Sequence, residues 1–238
     1  MDDALEAEDE GAMILTGEAQ RLWEGALALN AAARHVSPDP VSCGATARTL
    51  PPLLFFTDPM RTPEPWRTAG RLPAGAAVVY RHFGAADAEG VARRLRAATA
   101  DRGVLLLIGL DANLAQAVGA DGVHLPERAV AQATALRTAR PDWLLTGAVH
   151  SGAAAQDAGS TGLDALVLSP VFTAGGASSA KPSMGLEALT QAVAAASLPV
   201  YALGGVSSET MDGLTGSGVC GIAGVDSVQR AFDPSPRT

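Results

Sequence analysis

From Leu53 to Val225 the chain alternates short apolar runs with stretches of helical periodicity, and this alternation constrains its fold most. The runs are Leu53–Asp58, Ala76–Phe83, Val104–Gly109, Asp121–Leu125, Trp143–Val149, Ala165–Val171, Pro199–Gly205 and Gly218–Val225. Their nearly continuous apolar character is that of parallel strands buried on both faces. Between them, Asp87 opens a helical stretch with Val91, Leu95 and Ala98 on one face and Gly103 beyond its end. Another carries Leu186, Leu189 and Val193 and stops before Pro199, while Asp111–Gly119 leaves room for only a short helix. Eight such strands joined by right-handed crossovers close into a (β/α)8 TIM barrel of the α/β class. The barrel portion is about 180 residues, under the usual lower bound of roughly 200 for this fold, so an open doubly wound sheet is the fallback. No GxGxxG or GxxxxGK pattern supports a dinucleotide or P-loop site.

The last two strands end in glycines just ahead of a helix. Loops in these positions of a TIM barrel commonly bind phosphate, which predicts a small phosphorylated ligand. The net charge of −8 argues against a general nucleic-acid surface. It leaves phosphate binding open, since backbone amides and helix N-termini supply positive potential locally. Cys43 and Cys220 have no metal-type spacing and read as reduced thiols. No apolar run approaches the roughly 18 residues of a membrane span. With an acidic rather than basic N-terminus, the expectation is a cytoplasmic protein with no membrane partner.

Residues 1–50 stand outside the alternation and divide the chain into an N-terminal extension and a barrel over 51–238. Met1–Gly11 is acidic and reads as disordered. Thr16 is placed to cap a helix running to about Arg34, with Leu22, Ala26 and Leu29 on one face and Trp23 beside it. Such a helix is expected to pack over one end of the barrel. Ser37–Pro52 is rich in turn formers and reads as a linker.

Active sites of this fold lie at the C-terminal mouth, so strand-end residues carry the chemistry. Gly204 and Gly205 follow the seventh strand and, lacking Cβ atoms, let the backbone approach a ligand oxygen closely; Gly221, Ala223 and Gly224 close the eighth, and Asp226 or Ser227 would begin the last helix. His150 and Ser151 follow the fifth strand; histidine suits proton transfer near neutral pH, or His150 caps the next helix. His124 reads as a packing residue. Arg81 and His82 end the second strand, where a cation would hold an anionic substrate or Arg81 would pair with Asp58. Asp58 also suits a helix start. Ser169, Thr173 and the small-residue loop Ala174–Ala180, ending in Lys181, have the composition of a lid.

These stretches together resemble the thiamine phosphate synthase and thiazole tautomerase superfamily. The matching motifs are LLFFTD at 53–58, VGADGVHL at 118–125, VHS at 149–151, LSPVF at 168–172, ALGGV at 202–206 and GIAGV at 221–225. The resemblance implies a barrel that binds 4-methyl-5-(hydroxyethyl)thiazole phosphate or thiamine phosphate. It places the phosphate on the backbone of Gly204, Gly205, Ala223 and Gly224, with Thr173 nearby. Synthases of this family join a pyrimidine diphosphate to the thiazole phosphate, with Mg²⁺ stabilising the departing pyrophosphate. They carry a Gln-x-Arg-x-Lys run on strand two, which here reads Val79-Tyr80-Arg81-His82-Phe83 and keeps only the arginine. Their Asn-Asp pair after strand three falls on Gly109-Leu110, with Asp111 one step away, and a later Asp falls on Ala129. A Mg²⁺ site would then need Asp58 or Asp111 in a shifted geometry.

The tautomerase branch moves a proton and needs no metal. It has Leu-Pro after strand four and Val-His-Ser after strand five, as here in Leu125-Pro126 and Val149-His150-Ser151. The resemblance therefore favours proton transfer by His150, with Ser151 orienting ligand or ring and Arg81 near the reacting group. The alternatives are an active synthase with a shifted metal site, a non-catalytic binder of a thiamine intermediate, and a different phosphosugar barrel. No strand-end lysine suited to Schiff-base chemistry supports an aldolase.

Overall fold

The computed structural model describes residues 15, 17–34, 49–173 and 182–233. The acidic stretch Met1–Gly11, the cap expected at Thr16, Cys43, most of the expected linker and the loop from Ala174 to Lys181 lie outside them. Eight parallel strands form one closed sheet in sequence order, β8 returning to pair with β1. They are β1 (Leu53–Phe56), β2 (Ala77–Tyr80), β3 (Leu105–Gly109), β4 (Gly122–Leu125), β5 (Leu144–Val149), β6 (Ala165–Leu168), β7 (Val200–Leu203) and β8 (Gly221–Gly224). The molecule is a (β/α)8 TIM barrel, and the open-sheet fallback is excluded by that closure.

Both faces of the strands are buried, for two different reasons. Leu54, Phe56, Val79, Leu107, Val167, Tyr201 and Ala223 fill the barrel interior. Their neighbours Leu53, Phe55, Val78, Leu106, Ile108, Leu166 and Ile222 face the surrounding helices. That double burial is why the strands read as continuous apolar runs rather than alternating ones.

The barrel fits its short chain by trimming the crossovers. Among the described residues, only α3 (Ala88–Thr99) and α7 (Gly185–Ala195) exceed two turns between strands. The others, α2 (Pro65–Ala69), α4 (Ala112–Ala117), α5 (Ala133–Ala139) and α6 (Gly152–Asp157), have five to seven residues. Between β7 and β8 the helical ring is reduced to a 3-10 turn, Met211–Leu214, and α8 (Asp226–Phe232) follows β8. The N-terminal helix α1 (Gly17–Arg34) packs against that turn, α8, β8 and β1. It buries Leu22, Ala26 and Leu29 in the same cluster as the outer strand faces. At its end the Asn30 amide donates to the carbonyls of Cys220 (2.8 Å) and Leu50 (3.3 Å). Ala33 there reaches residues of the barrel interior.

Several strands end earlier than the sequence runs that announce them, β2 among them. The second apolar run extends to Phe83, but β2 stops at Tyr80. Phe83 and Gly84 take φ of 47° and 81°, in a turn closed by Ala85 N–H donating to the His82 carbonyl at 2.9 Å. No helix among the described residues is long and apolar enough to cross a membrane.

Candidate functional site

The glycine ends of β7 and β8 lie side by side. Pairing of Leu203 with Ala223 brings Gly204–Gly205 next to Gly224 at the barrel mouth. Gly204 and Gly205 hold φ of 99° and 66°, and neither has space for a side chain. A Cβ on Gly204 would stand 2.9 Å from Pro170, and one on Gly205 would stand 2.5 Å from the Thr173 carbonyl oxygen and 2.6 Å from Phe172 Cβ. The β6 loop thus packs directly on the two glycines and brings Thr173 to them. The Gly204 carbonyl accepts from Phe172 N–H (2.9 Å) and that of Gly205 from Thr210 Oγ1 (3.0 Å). With those carbonyls engaged, the amide edge is what this turn can offer an anion.

Asp226 opens α8 immediately beyond Gly224 and Val225, where a bare carboxylate would repel a phosphate. It does not stand bare. Arg61, from the β1 loop, places Nε 3.0 Å from both Asp226 carboxylate oxygens and donates a further short bond through Nη2. This pair was not legible in the sequence, because its members are 165 positions apart.

His150 follows β5, across β6 from these glycines, and is exposed. Its Nδ1 is 2.9 Å from the Ser169 carbonyl oxygen and 3.3 Å from Ser169 Oγ. A carbonyl only accepts, so Nδ1 carries the proton and Nε2 is left as a lone-pair base. The Ser151 hydroxyl accepts from Ala154 N–H at 3.1 Å and caps α6, while the His150 ring is held by Ser169.

On the β1–β3 side, Arg81 donates from Nε to the Thr57 carbonyl at 2.8 Å, while Thr57 Oγ1 accepts from the Arg81 amide at 2.9 Å. Its guanidinium carbon lies 5.3 Å from the Phe56 ring centre and 5.3 Å from that of Phe83. Burial pushes the guanidinium down to about 10, Asp58 opposing the fall and Arg61 adding to it. The group remains a cation at neutral pH. Asp58 does not ion-pair with Arg81. Its Oδ1 accepts from the amides of Met60 (3.0 Å) and Arg61 (3.1 Å) and caps the following turn.

Asp111 caps α4 by accepting from Leu114 N–H at 2.9 Å. Its other oxygen lies 3.7 Å from His82 Nε2. His82 Nδ1 accepts from Gly84 N–H at 3.1 Å, so neither ring nitrogen offers a free lone pair to a ligand. His124 is buried inside the barrel, with Nδ1 2.9 Å from Thr146 Oγ1 and its ring edge-on to Phe56. Burial, with a smaller push from Arg81, lowers its pKa to about 3; it is a neutral packing group.

Asp58 and Asp111 each commit an oxygen to capping a turn or helix, and among the described residues no three His, Cys, Asp or Glu side chains converge as ligands.

The sequence profile of the thiamine monophosphate synthase family matches residues 61–228. A thiamine-phosphate synthase of Methanoculleus marisnigri is 37% identical over 134 residues, which span 56% of this chain and 64% of that protein. A putative thiamine-phosphate synthase of Aquifex aeolicus is 36% identical over 135 residues, 57% of this chain and 72% of the relative. Among solved structures, thiamine phosphate pyrophosphorylase from Pyrococcus furiosus superposes with a TM-score of 0.64 at 25% identity, covering 76% of this chain and 91% of the other. A 3-hexulose-6-phosphate synthase at 17% identity and TM-score 0.56 shares the fold.

Proposed function

Because the chain belongs to the thiamine monophosphate synthase family, we propose that it binds a thiazole phosphate at the barrel mouth and moves a proton on the ring, as tautomerases of the superfamily do. The observation that carries this reading is the fixed tautomer of His150: Nδ1–H on the Ser169 carbonyl, Nε2 free. In this mechanism the amides of Gly204, Gly205, Ala223 and Gly224 hold the phosphate, with Thr173 beside them. That anchor sets the ring against His150. Nε2 takes a proton from a ring carbon, and the resulting imidazolium returns it at the position that makes the ring aromatic. Arg81 stabilises negative charge that develops on the ligand meanwhile. Ser151 contributes by capping α6 directly behind the histidine, which keeps the loop in place.

General acid–base assistance is worth about 10²–10⁴-fold in rate. His150→Ala is expected to slow tautomerisation of the thiazole phosphate by that much while leaving its dissociation constant nearly unchanged. Wild-type turnover in the variant removes His150 from the mechanism.

The synthase reaction is the second reading, favoured by the names of the relatives and by the retained Arg81. It is the reading in which Mg²⁺ takes part, and Asp58 and Asp111 are the carboxylates that would hold the ion, each through the oxygen not engaged in capping. Incubation with pyrimidine diphosphate, thiazole phosphate and Mg²⁺ decides: efficient thiamine phosphate formation overturns the tautomerase proposal. Binding without either turnover would make the protein a carrier or sensor of the intermediate.

A further inference from the structure

The turn after β2 holds a large aromatic residue where backbone geometry disfavours one. Positive φ at Phe83 and Gly84, with Ala85 N–H bonded to the His82 carbonyl, has the character of a type I′ turn. Its central positions are normally Asn, Asp or Gly, and a bulky residue at positive φ is a genuine outlier. Core packing does not explain the choice, because Phe83 is 70% exposed. What the ring does touch is the guanidinium of Arg81, 5.3 Å from its centre, with Phe56 at the same distance. Thr57 fixes Nε from below.

We infer that Phe83 is a positioning residue: from its strained turn it closes a clamp on Arg81, presenting the guanidinium in one orientation to the anionic thiazole ligand. The inference rests on the reading of Arg81 as a ligand contact. Arginine side chains otherwise surrender considerable rotamer freedom when they bind, and a group held in advance does not. Two rings suit this task because a planar guanidinium stacks on aromatic faces where an ammonium has no plane to match. The clamp accounts for a strained residue that neither the fold nor the proton-transfer step requires.

Two measurements test it. The first is the NMR signal of the Arg81 Nη–H groups, compared in wild type, Phe83→Tyr and Phe83→Ala, because Nε–H stays bonded to Thr57 in all three. Slow solvent exchange and hindered rotation are expected in the first two and lost in Phe83→Ala; identical signals in all three overturn the clamp. The second is calorimetric binding of 4-methyl-5-(hydroxyethyl)thiazole phosphate in a double-mutant cycle. Phe83→Ala is expected to weaken binding about 2–5-fold, the size of an exposed cation–π contribution, with recovery in Phe83→Tyr. In an Arg81→Ala background the same change should have no effect; an equal loss there overturns the inference, because Phe83 would then act on the ligand without Arg81. If Arg81→Ala alone binds as tightly as wild type, Arg81 is not a ligand contact and the clamp loses its assigned purpose. The NMR result separates that outcome from an absent clamp.

Discussion

His124 and His150 end neighbouring strands of one barrel, β4 and β5, yet the first is sealed against Thr146 and Phe56 and the second is exposed. For His124 the folded state holds the neutral ring, with its pKa near 3 against 6.5 in the unfolded chain. The unfolded chain therefore binds the extra proton first. Stability from this group is intact above about pH 6.5 and declines as pH falls toward 3, by up to about 1.4 kcal/mol per pH unit. Urea midpoints measured between pH 7 and 4 should fall less steeply in His124→Gln than in wild type. Gly205→Ala tests the other end of the site. The added methyl meets Phe172 and the Thr173 carbonyl, so a loss of about 1–3 kcal/mol is expected in urea unfolding, together with weaker binding of thiazole phosphate by calorimetry. The glycines themselves were legible in the sequence as strand-end residues. What the sequence could not show is that the β6 loop, as much as any ligand, demands them.

At the scale of elements, the strands were readable because burial on both faces leaves an unbroken apolar signature. Their C-terminal ends were not. Arg81, His82 and Phe83 follow the apolar run Ala76–Tyr80 without a break, and only the positive φ of Phe83 and Gly84 reveals that the sheet has stopped. Capping roles were equally hidden: the sequence singles out Ser151 and Asp111 as strand-end polar groups and does not show that each also holds a helix N-terminus. The stripe Leu22, Ala26, Leu29 gave away α1, but its partners lie far along the chain. Asn30→Ala removes the donor to the Cys220 and Leu50 carbonyls. It should cost about 1–3 kcal/mol, read from the denaturation midpoint. Leu22→Ala, at a fully buried position, should cost about 2–5 kcal/mol in the same assay.

Across the whole molecule, the proposed chemistry is arranged around one ring. The phosphate cradle stands at β7–β8, the base at β5–β6 and the clamped cation at β2. A ligand that spans these strands ties together segments distant in sequence. Thiazole phosphate at about 100 times its dissociation constant should stabilise the fold by about 2.7 kcal/mol, visible as a rise in melting temperature. Absence of any shift would remove the ligand class. The trimmed β7–β8 connection has its own consequence. With only a 3-10 turn on that side, the wall is completed by a helix synthesised before any strand exists. That helix emerges ahead of the barrel strands and finds its docking surface after them, since Asn30 and Cys220 are 190 positions apart. Until then the growing polypeptide carries an open seam. A version lacking residues 1–48 keeps that seam permanently, and light scattering should find it associating through the uncovered side.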